Sequence, residues 1–374
     1  MLYLDHAATS WPKPPEVPAA VADWFTSIGV SPDRGDGERC HRAAALTAEV
    51  RAGVAALCGV RAERVVFTSG ATESANLFLR GFLAPGDRVV ATAAEHSAIA
   101  RPLRALGRTL DIECEVVPVD GAGYVAVDAV ERALRRRATR LLAVNHASNV
   151  TGAVQDVAAL VGVAHAHGCT VLLDASQSAG VLPLAGLGAD VILGSAHKSL
   201  LGPPGLGFLA VRDGIALRPA KQGGTGSSLA LDEQPETWPA GFEPGTPNGP
   251  AIAGLGAALR WIAARGIAEL HAHGVAVADA LRAVLRDALG ARVRLLGSDT
   301  GPRIGIVSFT LADLDPAEAG IALDAHGIHA RTGYHCAPWI HRFLGTEAGG
   351  TIRFSAGPFV SADEARAAVA AFAR

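Results

Sequence analysis

Thr170-Val171-Leu172-Leu173-Asp174-Ala175-Ser176-Gln177 and Val191-Ile192-Leu193-Gly194-Ser195-Ala196-His197-Lys198 share one design: a short continuous apolar run, then small and polar residues. Runs that are apolar at every position suit strands buried on both faces, as in a parallel sheet covered by helices. The same design repeats outward in both directions. Strand-like runs fall at 65–68, 88–92, 113–117, 141–145, 170–173, 191–193 and 207–211, with helix-like stretches at 72–83, 98–106, 128–137 and 157–167 between them. This alternation predicts an α/β layer with a mainly parallel sheet. Residues 213–250 are rich in Gly, Pro, Ser and Thr and too long for an ordinary connection, so a functional or interface loop is expected. After it come Ala/Leu-rich helices over 251–289, broken near Gly266. Strands are expected at 292–296, 304–311, 329–331 and 351–355, with helices near 316–326 and 362–372. The expected division is a large α/β domain over 13–250 and a smaller α+β C-terminal domain over 251–374, on which residues 1–12 are free to pack.

The chain has 374 residues, a formal charge of −3, 49% hydrophobic and 18% charged residues. That is enough apolar mass for a large core, and it excludes a disordered chain. The near-neutral charge argues against a nucleic-acid binder; the one tight basic cluster, Arg135-Arg136-Arg137, reads as a solvated helix end. Five cysteines without CxxC spacing give neither a disulfide framework nor a metal pattern, and the first residues show no signal peptide. A cytoplasmic protein with no membrane span and no metal is expected.

Lysine occurs only at positions 13, 198 and 221; the other thirty basic residues are arginine. A lysine in such a chain marks a place where an amine that can lose its proton is useful. Lys198 follows an apolar strand and lies among small residues, a setting that desolvates an amine and favours its neutral, nucleophilic form. Asp174 ends the preceding strand, where open α/β sheets place ligands, although an aspartate there also suits a turn cap. An amine and a carboxylate on adjacent strand tips fit pyridoxal 5′-phosphate, which takes a lysine for its covalent link and an acid for its pyridine nitrogen. The phosphate would sit where Thr68-Ser69-Gly70-Ala71-Thr72-Glu73-Ser74 joins a strand to a helix N-terminus. His96, ending the next strand, would stack on the ring or titrate beside it.

These segments resemble the class V aminotransferase family of fold-type-I pyridoxal-phosphate enzymes. The resemblance rests on Tyr3-Leu4-Asp5-His6-Ala7-Ala8-Thr9-Ser10, Ser69 to Glu73, Glu95-His96, Asn145 to Gly152, Asp174 to Gln177 and Ser195 to Lys198, in the family's order and over the whole chain. His6 stands where the family usually has Asn. The resemblance implies that Lys198 carries the cofactor and Asp174 pairs with its ring nitrogen. It puts Gln177 and Asn149 near the ring oxygen, His96 on the ring face, and Ala71, Thr72, Ser195 and His197 around the phosphate. Thr246, in Glu243-Pro244-Gly245-Thr246-Pro247-Asn248, would reach the phosphate of a second subunit, which implies a homodimer. Arg331-Thr332-Gly333-Tyr334-His335-Cys336-Ala337 is similar to the Arg-x-Gly-x-His-Cys-Ala signature of group II cysteine desulfurases. By that resemblance Cys336 takes sulfur from L-cysteine as a persulfide, leaving L-alanine. Arg353, assisted by Arg331, binds the substrate carboxylate. A sulfur-acceptor protein or small thiol then receives the sulfur. Selenocysteine lyase, cysteine β-lyase and other class V chemistries are the alternatives. Residues 33–41 depart from the family's Arg-Gly-x-His, so His41 receives no role.

Overall fold

The computed structural model describes residues 1–32, 35–226 and 232–372. Asp33 and Arg34, at the start of the divergent stretch, and residues 227–231 of the long loop lie outside the described residues. A seven-stranded sheet is built from β1 (Val65–Thr68), β2 (Arg88–Thr92), β3 (Glu113–Val117), β4 (Leu141–Asn145), β5 (Thr170–Asp174), β6 (Val191–Ser195) and β7 (Gly207–Val211). Its order is β1-β7-β6-β5-β4-β2-β3. Pairing is parallel from β3 through β6, and β7 runs antiparallel to both β6 and β1. The mainly parallel α/β layer therefore stands as the sequence predicts. Most of these strands are buried at every position, because helices cover both faces and each face carries its own hydrophobic cluster.

The helices most relevant to the site are α1 (Ala71–Phe82), α2 (Ser97–Thr109) and α3 (Pro338–Leu344). A second sheet of four strands contains β8 (Val293–Leu295), β9 (Ile306–Leu311), β10 (Arg331–Gly333) and β11 (Thr351–Ser355). Leu2–Tyr3 pairs in parallel with Ile328–His329, and Asp5 bridges to Ser355, so the first residues pack on this second sheet. The stretch expected as one strand at 329–331 is two, Ile328–His329 and Arg331–Gly333. The break sends one half to the N-terminus and the other to β11. Two helices, Glu16–Asp23 and Glu38–Cys58, form where the sequence reading assigned no element. Among the described residues no single helix is long and apolar enough to cross a membrane.

Two glycines permit close packing here: Gly207 brings the start of β7 against the loop before α1, and Gly194 makes room on β6 for the Phe208 ring of β7. A Cβ on Gly207 would lie 2.5 Å from the Gly70 Cα, and one on Gly194 would lie 2.6 Å from the Phe208 ring. Gly207→Ala is expected to push the 69–72 loop outward, at about 1–3 kcal/mol for overpacking. Thermal unfolding should show the loss, and cofactor affinity measured by titration should fall with it.

Candidate active site

The C-terminal tips of β1, β2, β4, β5 and β6 open on one cavity of about 230 Å³. Ala71, Thr72, His96, Asn149, Asp174, Ser195, His197, Lys198, Arg331, Cys336 and Arg353 all line it. The structure thus gathers residues from seven separate segments into one cavity. Two expected residues lie elsewhere. Gln177 donates its amide Nε2 to the Ala7 carbonyl at 2.8 Å and faces a neighbouring cavity with His6. Thr246 lines a different cavity with Thr68, Ser69 and Glu73.

β5 and β6 pair so that Asp174 faces Leu193, which places Asp174 and the residues after β6 on one rim. Asp174 is buried, and its Oδ1 accepts the Ser176 backbone N–H at 2.9 Å. The carboxylate thus caps its own turn and also lines the cavity. The Lys198 amine is pushed below the usual lysine range, first by burial, while Asp174 works in the opposite direction and Arg353 adds to the lowering. That balance favours a neutral amine able to act as nucleophile or base.

At the opposite end, α1 begins at Ala71, whose N–H donates to Ser195 Oγ at 3.0 Å. This contact fixes a helix N-terminus beside Thr72, Ser195 and His197, the arrangement that suits a phosphate. His197 Nδ1 lies 3.0 Å from Thr9 Oγ1, and burial pushes its imidazole down to about 4. His96 caps α2: its Nδ1 accepts the Ala98 N–H at 3.0 Å. Burial and then Lys198 hold His96 down to about 4, so it is neutral, with its proton on Nε2.

Arg353 is 2% exposed. One arm of its fork donates to Asp5 Oδ1 at 2.6 Å and the other to the Asn149 carbonyl at 2.9 Å, while Nε has no partner. Arg331 faces it across the β10–β11 pair and brings Nη2 within 3.6 Å of Cys336 Sγ. Cys336 is exposed. His335 and Cys336 both hold left-handed backbone, φ +50° and +57°, which non-glycine residues rarely adopt. The turn is tied at several points. Ser97 N–H donates to the Cys336 carbonyl at 2.7 Å, Asn149 Nδ2 donates to the His335 carbonyl at 2.6 Å, and His335 Nε2 meets Thr351 Oγ1 at 2.7 Å.

The residues fit pyridoxal 5′-phosphate. An amine, a carboxylate and a helix N-terminus share one cavity, and Asn149 Oδ1 and Ser176 Oγ are buried oxygens without partners there. Ser176 and His335 also line the cavity and Asp5 braces Arg353, though the sequence reading gave these three no role. His335 was signalled by its place beside Cys336. Asp5 was not, because its partner lies 348 residues away. His6 is buried against Gly357 and pushed down to about 4, a neutral packed ring outside the main cavity. His41 is exposed on the helix Glu38–Cys58. Among the described residues no cluster suits a metal ion.

Comparison with known proteins places the chain in a family. The profile of the aminotransferase class-V family matches residues 2–367. A cysteine desulfurase of Klebsiella pneumoniae subsp. pneumoniae is 34% identical over 349 residues, covering 90% of this chain and 84% of that protein. A probable cysteine desulfurase of Methanothermobacter thermautotrophicus is 34% identical over 95% of this chain and 89% of its own length. The apo structure of a cysteine desulfurase from Thermococcus onnurineus superposes with a TM-score of 0.90 at 29% identity, covering 98% of this chain and 92% of that one. The chain belongs to the class-V aminotransferase family and, within it, to the pyridoxal 5′-phosphate-dependent cysteine desulfurases.

Proposed function

We propose that this enzyme converts L-cysteine to L-alanine and carries the released sulfur as a persulfide on Cys336. The observation that carries the reading is a single cavity lined by Lys198, Asp174, Arg353 and Cys336. Pyridoxal 5′-phosphate, when bound, supplies an electron sink for the substrate Cα. Lys198 would hold it covalently, and the same amine is placed to remove the substrate Cα proton and to return a proton to the product. Asp174 would keep a proton on the ring nitrogen. His96, as a neutral ring lining the cavity, would lie against the cofactor without adding charge. The substrate carboxylate is bound by Arg353 with Arg331, since a planar fork suits a carboxylate.

Cys336 then attacks the substrate sulfur as a thiolate. A sulfur–sulfur bond forms, the Cβ–S bond breaks, and its electron pair stays with the carbon, which is protonated. L-cysteine and a thiol become L-alanine and a persulfide, with atoms and electrons balanced. An acceptor thiol, on a protein or a small molecule, takes the outer sulfur and regenerates Cys336. Exposure of Cys336 supports this second half of the cycle. The proposal includes a cytoplasmic homodimer in which Thr246 reaches the phosphate of the partner subunit, consistent with its position outside this chain's own cavity.

Purified protein given L-cysteine and a reductant should yield alanine and sulfide in equal amounts. Pyruvate in place of alanine would mean β-elimination and would remove the role given to Cys336.

A further inference from the structure

Behind the floor of the cavity lies a carboxyl that this reaction does not use. Glu95 immediately precedes His96 and has no solvent exposure. Its Oε1 accepts two hydrogen bonds, from the Thr92 hydroxyl and from the Asn145 backbone N–H, both at 2.6 Å. Its Oε2 is buried and has no partner. The groups facing it bring no positive charge. Asp174 on β5 is acidic, and Cys114 on β3 is a thiol that burial pushes up to about 11. The histidines that follow on the same two strand ends, His96 and His146, are both held down to about 4 and are neutral.

We propose that Glu95 is a positioning residue that acts as a neutral, protonated acid, tying the end of β2 to the end of β4 and leaving Asp174 as the only negative charge beneath the cofactor ring. This rests on the reading of Asp174 given above. The tie is well placed. β2 leads directly into His96, and Asn145 sits in register with Asp174 and four residues before Asn149. An ionised Glu95 would leave a dry charged oxygen beside a second carboxylate, whereas a protonated one leaves only a neutral hydroxyl unsatisfied. Burial is the largest influence and raises the group to about 8. Asp174 raises it further, and the bonds from Thr92 and Asn145 only partly oppose them. A second negative charge here would also draw protons onto Lys198 and His96, both of which the reaction uses neutral.

Glu95→Gln keeps the shape and the neutrality, while Glu95→Ala removes the tie. Both are compared with wild type, cofactor loaded, by thermal and denaturant unfolding from pH 5 to 9. The native carboxyl holds its proton where the unfolded one has released it, so rising pH favours unfolding of the wild type. Relative to Glu95→Gln, its folding constant should fall about tenfold per pH unit above the ordinary carboxylate range and level off near pH 8. Difference infrared spectra at neutral pH should show a protonated-carboxyl stretch in wild type that Glu95→Gln lacks. The Gln variant should turn over like wild type. A stability gap independent of pH, or no such stretch, would overturn the proposal, and this comparison stands even if the Ala variant does not fold. Failure of the Asp174 reading is separate: Asp174→Asn would then leave cofactor absorbance and affinity unchanged.

Discussion

Lys198→Ala is expected to lose both the covalent link to the cofactor and turnover. Borohydride treatment should add one cofactor mass to the wild type and none to the variant. The turnover loss should be on the order of 10³-fold or more, because one amine serves as anchor and as base. The prediction is sharp because the chain offers no substitute. Lys13 is held by the Ser10 carbonyl and hydroxyl, and Lys221 is paired with Glu73 at 3.0 Å. Neither lines the cavity that holds Asp174 and Cys336. Lys198→Arg separates charge from proton transfer, since a guanidinium keeps the cation and does not release a proton in proteins. It should be as inactive as the alanine variant. A normal covalent adduct in either variant would refute the assignment.

The parts legible in the sequence are those where burial writes a strong local pattern. All seven strands of the large sheet lie where the sequence reading places them, with small shifts at their ends, and all but the edge strand β3 (Glu113–Val117) are mostly apolar runs. The helix Glu38–Cys58 was not legible because its buried face includes Ala43, Thr47 and Ala55, small residues that leave a faint apolar stripe. Glu16–Asp23 buries only Val17 and carries even less signal. Most of the cavity residues on the large sheet were legible for a different reason: they sit at or just past a strand end, where the chain turns from apolar to small and polar. What no local pattern carries is a bond between distant residues. The bonds of Arg353 to Asp5 and of the Asn145 N–H to Glu95 emerge only once the strand tips are brought together. Gln177 shows the reverse: its motif points to the cofactor, while its Nε2 donates to the Ala7 carbonyl and the residue lines the neighbouring cavity.

Cys336→Ser should keep the covalent cofactor link and lose alanine formation by at least about 10²-fold, because a hydroxyl in place of a thiolate does not accept sulfur. Mass spectrometry after a single exposure to L-cysteine should find one added sulfur atom on the Cys336 peptide of the wild type and none in the variant. Three of the other thiols, Cys58, Cys114 and Cys169, are poor competitors. Burial raises the thiol of Cys58 far above its ordinary range, that of Cys169 to about 12 and that of Cys114 to about 11. Cys336 instead stands exposed, with a guanidinium 3.6 Å from its sulfur. Its left-handed backbone is held from several sides by Ser97, Asn149 and Thr351, so the thiol is presented by a tied turn rather than a free loop. That tethering predicts a second result. Thr351→Val removes the hydroxyl that meets His335 and should slow sulfur transfer while leaving the cofactor link intact. Undiminished cysteine turnover in Cys336→Ser, or a persulfide on another cysteine of the wild type, would remove Cys336 from the reaction.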